Sequence, residues 1–500
     1  MKKLLSALMW IDDNLIHIFF IGFIILTSLV PKYPLLHVNY TYIKIRVDDF
    51  IIVAMGVVFL LQLARRKVRL RTAFLPHVLI FWGAVFLSYF WGAYIQNTVA
   101  VKNLGLLHSL RRVQYMAIFF IASSVVTSEK RFMKYMAVYL GTLFVVCLYG
   151  FGQKFLAFPS IQSMNAAYVD GRLLTLNPED RVNSTFGGHF DLAAYLVFSI
   201  PLILGYFFYE GKKKFFALFI LALTVMLYTA ARSSFLAYLV VITLFLLYLR
   251  RFKLYILVII LTAGLLFVTG DTTRRFQQTF QFKTVFVNNQ TGATVIDQKI
   301  SAKKLAAGDL KIPLATKKTQ TVAGDAEKIY IIAHQQAAEE AIVKGKKSTE
   351  AQLNERAKEI AKNLVPQKML LCDISCATRL QLEWPRAMAA FEINPILGTG
   401  PSSLGEATDN NILRLFGEFG IIGGLSFSYL VFSITRLIWK KAKKTDRNTR
   451  YILFGFVFAI ISLIINALYV DLFEASKMAY NLWLLSGLFV GYIATVNKDK

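Results

Sequence analysis

Lys212–Arg251 reads KKKFFALFILALTVMLYTAARSSFLAYLVVITLFLLYLRR, two apolar runs at 215–230 and 234–249 joined by a short link around Thr229–Ser234. Basic clusters, Lys212-Lys213-Lys214 and Arg250-Arg251, close the stretch at its two ends. Runs of this kind approach the length needed to cross about 30 Å of hydrocarbon. In lipid the backbone N–H and C=O groups must bond within their own segment, so both runs are expected to be helices. The link is too short for anything but an antiparallel return. Both basic ends therefore lie on one face, and Arg232 in the link lies near the other.

Working outward, comparable runs recur at 15–30, 50–64, 75–93, 106–126, 134–152, 190–209, 254–269, 412–436, 451–470 and 478–495. The chain has 500 residues, 56% of them hydrophobic and only 17% charged. A soluble domain of that length cannot hide so much apolar surface. The first run, Leu15–Val30, has no small-residue cleavage site and is followed by another span, so it is expected to be retained rather than removed as a signal peptide.

The formal net charge of +26 would suit a nucleic-acid binder, but much of the excess sits in short clusters between spans. A topology signal is the simpler account, and no nucleic-acid partner is expected. With Lys2 and Lys3 cytoplasmic, the clusters Arg65-Arg66-Lys67 with Arg69 and Arg71, Lys130-Arg131, Lys212–Lys214, Arg250-Arg251 and Lys440-Lys441 with Lys443-Lys444 all fall on the cytoplasmic side. Lys498 and Lys500 place the C-terminus there too. Residues 153–189, the Thr229–Ser234 link and the long stretch 271–411 are then outside; long loops cross whatever their charge.

The expected architecture is an all-α integral membrane protein of about 12 transmembrane helices, with a large extracytoplasmic loop carrying a small α+β insert. Residues 1–270 hold spans 1–9, residues 271–411 the loop with its insert at about 281–370, and residues 412–500 spans 10–12. Within the insert, β-branched residues alternate with polar ones near 281–325 around an Asn288–Gly292 turn signal. Residues 326–364 read as helical: Leu353, Ala357, Ile360 and Leu364 share one face, and Thr349 with Gln352 makes a capping box. Three cysteines make no disulfide framework, and Cys372 and Cys376, one helical turn apart, are expected to be free thiols.

The chain carries no GxxxxGK phosphate loop, no HExxH, no CxxC pair and no serine-hydrolase elbow. Neither a metal nor another cofactor is expected. What remains is a set of arginines and carboxylates at the outer boundary. Arg232 would put a guanidinium fork, matched to phosphate oxygens, near the headgroup plane; ordinary snorkelling to phospholipid is the competing account. Arg181, in Arg181-Val-Asn-Ser-Thr-Phe-Gly-Gly-His-Phe-Asp191, precedes a span, and Gly187-Gly188 allows a close backbone approach; alternatively Arg181 pairs with Glu179 or Asp180. Arg379 and Arg386 are seven residues apart, one face of a helix with Glu383, or else a solvated ion-pair surface. Asn394-Pro-Ile-Leu-Gly-Thr-Gly-Pro401 reads as a turn leading through Thr408-Asp409-Asn410-Asn411 into a span containing Arg414 and Glu418. Asp409 or Asn410 would cap that span, and Arg414 with Glu418, at i and i+4, would pair within it. Ionisable groups so deep tilt the balance towards function. Of the histidines, His189 lies beside a candidate motif and His334 on the insert's helical surface.

Together these stretches resemble the O-antigen polymerase and O-antigen ligase superfamily of bacterial membrane glycosyltransferases. The matching pieces are Arg181-Val-Asn-Ser-Thr-Phe-Gly, Ala231-Arg232-Ser-Ser, Ser375 with Arg379 and Trp384, and Asn394-Pro-Ile-Leu-Gly-Thr-Gly running to Asp409-Asn-Asn-Ile-Leu-Arg-Leu-Phe-Gly-Glu-Phe-Gly-Ile-Ile-Gly423. The resemblance covers roughly residues 1–280 and 370–495 and leaves out the insert. It implies a bacterial inner-membrane enzyme that transfers glycan from undecaprenyl diphosphate without metal or nucleotide sugar. A chain-length regulator or other polysaccharide-assembly proteins would be its partners beside the lipid-linked oligosaccharide and the bilayer. Ligases of the superfamily usually carry His-Asn where this chain has Asp409-Asn410, so polymerase is the favoured expectation and ligase the alternative. Arg232 and Arg379, then Arg181, would stabilise the leaving diphosphate, with Asp409 as base, Glu418 and Glu383 in reserve, and inversion at the anomeric carbon. Arg386, Arg414 and Asn410 would line the substrate. A transporter or flippase for the same lipid-linked glycan is the rival from another class, and a membrane anchor displaying the insert is the third.

Overall fold

The computed structural model describes residues 2–37, 44–163, 173–177, 180–289, 294–296, 311–313, 320–321, 326–343, 349–405 and 408–496. Glu179, most of the Asn288–Gly292 signal, Lys498 and Lys500 lie outside them. Helix α1 (Lys2–Leu29) is followed by the hairpin β1 (Pro34–His37) and β2 (Lys44–Arg46), then α2 (Val47–Ala64) and α3 (Leu75–Phe90), which runs on as a π-helical turn, Trp91–Ile95. After α4 (Lys102–Val125) and α5 (Glu129–Phe155) comes a second hairpin, β3 (Pro159–Ile161) and β4 (Leu173–Thr175). Next are α6 (His189–Glu210), α7 (Lys213–Tyr228), α8 (Arg232–Tyr248), α9 (Phe252–Thr269) and α10 (Asp271–Thr279). The chain continues through β5 (Phe280–Asn288), β6 (Thr294–Ile296), β7 (Lys311–Pro313), β8 (Gln320–Thr321), α11 (Ala326–Val343), α12 (Glu350–Asn363), β9 (Leu364–Asp373) and α13 (Ile374–Thr378). A π-helical turn, Arg379–Glu383, precedes α14 (Trp384–Ile393), α15 (Asn411–Lys444), α16 (Arg447–Ala467) and α17 (Ser476–Val496).

Each of the twelve apolar runs falls on a helix, α1–α9 and α15–α17. Among the described residues nine of these helices are long and apolar enough to cross a membrane, which makes the chain an all-α, multi-pass membrane protein by type. The other three fall short for different reasons. Helix α7 spans 16 residues and α8 spans 17, while α4 carries His108, Arg111 and Arg112 in its first half.

The chain forms two compact units, Met1–Thr273 with Trp384–Lys500, and Arg274–Glu383. In the first, the closest helix pairs are α6 with α16 and α4 with α17, and glycines bring their backbones together. A Cβ on Gly205 would lie 2.7 Å from Tyr451 O, and one on Gly455 would lie 2.8 Å from Pro201 O. Gly487 and Gly491, four apart on α17, play the same part: a Cβ would stand 2.4 Å from Phe119 O or 2.7 Å from Ser123 O on α4. Small residues at this spacing are the usual device for close helix contact in lipid, where no hydrophobic force drives helices together.

Helix α15 is broken at Gly420, whose φ of 59° and ψ of −163° are non-helical. The break frees carbonyls of the preceding turn, and the Asn394–Pro401 turn bonds them. Thr399 N donates to Gly417 O at 3.0 Å and Gly400 N to Glu418 O at 2.9 Å. In the other direction, Ile421 N donates to Pro395 O at 2.7 Å. Both Gly398 (φ 74°) and Gly420 are forced: a Cβ would meet Glu418 C or Ile396 O at 2.3 Å.

In the second unit β5 and β9 pair antiparallel over nine residues, flanked by β6 and by β7 and β8. Ala357, Ile360 and Leu364, with Leu353 against them, pack onto Phe286, Ile332, Ala333 and Ala337. Thr349 N donates to Gln352 Oε1 at 3.1 Å at the start of α12. All three cysteines are buried.

Replacing Gly487 by Leu is expected to overpack the α4–α17 contact and cost about 1–3 kcal/mol, read as a lower melting temperature of the detergent-purified protein. Gly264→Leu, where added atoms meet open space, should leave the melting temperature unchanged.

Candidate functional site

The break in α15 sets a carboxylate, Glu418, where the helix no longer bonds its own carbonyls. Ser88 Oγ donates to Glu418 O at 2.6 Å, and Ser402 N to Glu418 Oε1 at 3.1 Å. Two guanidinium groups then close on the side chain: Arg414 Nε reaches Oε1 at 3.2 Å and Arg112 Nη2 reaches Oε2 at 3.2 Å. Glu418 is fully buried and Arg414 is 2% exposed. The i, i+4 pair expected from the sequence is thus present. It shields itself only in part, because Arg414 also binds Asp471 through Nη1, and Arg112 binds Glu474 through Nη2. His108 Nδ1 lies 3.5 Å from Glu474 Oε2, and the Arg112 guanidinium sits 4.5 Å from the Phe419 ring centroid.

The link between α16 and α17, which carries Asp471 and Glu474, is held by the start of α15. Asn411 Oδ1 accepts from Leu472 N at 2.8 Å and Phe473 N at 2.6 Å, and Asp409 Oδ1 accepts from Asp471 N at 3.2 Å. Asn410 caps its own helix, accepting from Ile412 N and Leu413 N at 3.2 and 3.1 Å, with a left-handed φ of 86°. The three consecutive side chains therefore divide the work: one starts the helix and two fasten the neighbouring link.

Two guanidinium charges face three carboxylates, Glu418, Asp471 and Glu474. Carboxylates therefore outnumber guanidinium groups, with His108 beside Glu474, and the crowding of like charge favours a proton on one carboxyl. Burial pushes the Asp471 carboxyl up to about 7, against the pull of Arg414 and with the help of Glu474 and Asp409. Burial acts on Glu474 in the same direction, but Arg112, His108 and Arg414 overcome it and hold Glu474 well below the usual carboxylate range. Asp471 Oδ1 accepts no hydrogen bond among the described residues, which leaves it as the oxygen for the proton. A cavity of about 30 Å³ lies beside the group, faced by Arg112, Asn411, Arg414 and Glu474 and walled by Phe81, Phe419, Phe427 and Trp483. That is room for a water and not for a sugar. Asp409 is half-buried, the most accessible carboxylate nominated from this part of the sequence.

The Arg181–Asp191 motif builds a second buried polar cluster. Its backbone and side chains are fastened: Asn183 Nδ2 donates to Phe186 O at 2.7 Å, Ser184 N to Gln153 Oε1 at 2.6 Å and Ser184 Oγ to Val146 O at 2.7 Å. A Cβ on Gly187 would lie 3.1 Å from Lys32 Cδ, the close approach that Gly187-Gly188 allowed. Lys32 pairs with Asp191 at 3.1 Å. Lys477, 1% exposed, donates to Ser28 O at 2.9 Å and Thr185 O at 2.8 Å beneath the Phe186 ring. Arg181 bonds His189, 2.6 Å between Nη1 and Nε2.

Of the nine side chains nominated from sequence, Asp409, Arg414 and Glu418 join one network. Glu418, a reserve base, has both oxygens bound and serves as the anchor of the ion pairs; Asn410 serves as a cap. Arg386 bonds Thr408 Oγ1 at 3.1 Å, next to Asp409. Arg232 is the first residue of α8, half-buried, after Ala230 in a left-handed turn at φ 50°. Arg379 and Glu383 are buried in the second unit, where Arg379 Nη1 donates to Ser375 O at 2.8 Å. The single helix face expected for Arg379 and Arg386 is not formed, because the π-helical turn Arg379–Glu383 breaks the 3.6-residue period and the two arginines fall in different units. Arg112, His108, Asp471, Glu474, Lys32 and Lys477 were missed, although charge within or beside an apolar run marks them by the same rule that marked Arg414. Among the described residues no group of three or more His, Cys, Asp or Glu has the geometry to hold a metal. No protein-family model matches this chain, and no curated protein matches it.

Glu418→Gln removes the shared counter-charge of two buried arginines, and a loss of about 3–5 kcal/mol is expected, seen as low membrane abundance and a depressed melting temperature. Asp471 predicts a pH dependence. Its folded pKa of about 7 stands above the ordinary 3.8, so its contribution to stability is full below about pH 4 and is lost as pH rises through about 7. Asp471→Asn should flatten that part of a melting-temperature profile taken across the range.

Proposed function

We propose that this protein is an inner-membrane glycosyltransferase that polymerises a surface polysaccharide, moving glycan from undecaprenyl diphosphate onto a sugar hydroxyl of another lipid-linked repeat. The observation that carries the reading is the Arg112–Glu418–Arg414–Asp471–Glu474 group, anchored at the break in α15 and joined to Asp409. Two of its members, Arg414 and Glu418, lie within the Asn394–Gly423 stretch on which the resemblance to O-antigen polymerases and ligases chiefly rests. Twelve spans with both termini cytoplasmic belong to the same proposal, as does an outward-facing insert.

In this scheme the acceptor hydroxyl oxygen bonds to the anomeric carbon as the bond from that carbon to the diphosphate oxygen breaks. The electron pair leaves on the diphosphate, the hydroxyl proton passes to the Asp409 carboxylate, and the configuration inverts. Guanidinium groups at Arg232 and Arg181 meet the charge growing on the diphosphate, since their forks match its oxygens. Asp409 suits the base by its exposure. Arg112 and Arg414, each paired with two carboxylates, position the link at 471–474 rather than touch the donor. A ligase would use the same donor chemistry on a different acceptor. A transporter or flippase of lipid-linked glycan is the second reading, favoured by a broken helix beside buried charge.

The test uses purified protein and a synthetic undecaprenyl-diphosphate oligosaccharide, with products sized on a gel. A ladder of longer lipid-linked chains is expected, falling about 100-fold or more in Arg232→Ala and Asp409→Asn at unchanged protein level. Transfer only to an added second acceptor would make the enzyme a ligase. Movement of the lipid across vesicles with no new glycosidic bond would establish the transporter.

A further inference from the structure

The ion-pair group and the Lys477 cluster gather where α1 ends and α15 and α17 begin. The opposite ends of α1 and α17 build something different. Between Asp13 and His17 on α1, the 66–71 segment after α2, Ser124–Arg131 and Thr495 on α17 lies a cavity of about 630 Å³. Its charge is lopsided: among the described residues Arg66, Lys67, Arg69, Arg71 and Arg131 line it against one carboxylate, Asp13. Lys67 is already neutralised, pairing with Asp13 at 2.7 Å and with Asp12.

The four arginines are presented in two ways. Two are fixed by the protein. Arg71 Nη1 donates to Gly491 O at 2.7 Å and Nη2 to Val126 O at 2.8 Å, while Arg131 bonds His17. Arg66 and Arg69 are exposed at the cavity, and their side chains make no ion pair or hydrogen bond among the described residues. A topology signal needs positive charge on one side of a membrane and no shape. Concavity, two oriented guanidinium groups and two uncommitted ones are more than that signal requires. The volume lies within the range of small-ligand pockets, and guanidinium forks match phosphate oxygens two at a time.

We propose that this basin is a binding site for a phosphate-bearing anion, separate from the chemistry at the other end of the bundle. A phosphodiester headgroup of an anionic lipid and a soluble phosphate share the chemistry; basic pockets between helices at a membrane surface take such headgroups. The site does not rest on the glycosyltransferase reading.

The test uses the full chain with Arg66→Gln/Arg69→Gln, and with Lys440→Gln/Lys443→Gln as a control that removes two charges outside the basin. In one arm, protein in nanodiscs of phosphatidylcholine with a minority of phosphatidylglycerol is scored for retained anionic lipid by native mass spectrometry. In the other, protein in phosphatidylcholine alone is titrated with inorganic pyrophosphate. The basin variant should lose about thirtyfold in affinity in one arm, two charges' worth, while the control keeps its binding. Loss in the lipid arm identifies a headgroup, and loss in the pyrophosphate arm a soluble ligand. Equal binding by the basin variant and the unmodified protein, or an equal fall in the control, overturns the proposal. Unchanged melting temperature shows that the basin variant is folded, and Arg69→Gln alone, expected to lose about fivefold, serves if it is not.

Discussion

Burying a carboxylate between two arginines at a broken helix is the constraint from which the rest of this end of the bundle follows. Glu418 is accommodated at zero exposure because Arg112, Arg414 and Ser402 N surround it. Those arginines in turn need further anions, which fixes Asp471 and Glu474 against them. The break at Gly420 is the backbone counterpart. Freed carbonyls at Gly417 and Glu418 need donors, and the Asn394–Pro401 turn supplies them. Glycine at 398 and 420 is therefore dictated by a backbone-to-backbone approach, while the charges are dictated by one another.

Carboxylates outnumber guanidinium groups in this cluster, and that gives it chemical character. If all three carboxylates were ionised, a net negative charge would sit in apolar walls. Placing the proton on Asp471, whose Oδ1 is otherwise unbonded, solves this and leaves a carboxyl that titrates near neutrality. Asp409 bonds the backbone N–H of the same residue, so the half-buried carboxylate and the proton-holding one are mechanically coupled through the link at 471–473.

Local features of this arrangement were legible in the sequence. The apolar runs fall on helices, the i, i+4 spacing of Arg414 and Glu418 gave a pair, Asn410 capped, and Thr349 with Gln352 started α12. These depend on residues within a turn or two of each other, where helix geometry alone decides who meets whom. Arg112 escaped because its partners lie 306 and 362 residues away, and no period along the chain encodes that distance. The face shared by Arg379 and Arg386 failed for the converse reason: the spacing was right for an α-helix, but the local turn is wider. Gly487 and Gly491 were legible in principle as a small-xxx-small pair, yet their meaning lies in the α4 backbone they touch.

The two ends of the bundle then differ in how their arginines are committed, and this bears on what each end can do. At the α15 end Arg112 and Arg414 are each paired with two carboxylates, so a diphosphate arriving there would have to compete with a carboxylate already bound. Arginines paired in this way make a support beside an acid–base carboxyl. At the opposite end the Arg66 and Arg69 side chains have no ion pair or hydrogen bond among the described residues and face an open volume of about 630 Å³, so an anion there displaces no carboxylate from them among those residues. Charge of one sign thus serves two ends differently: internal pairing yields a framework for proton chemistry, and charge left unpaired in a concave surface yields recognition of phosphate.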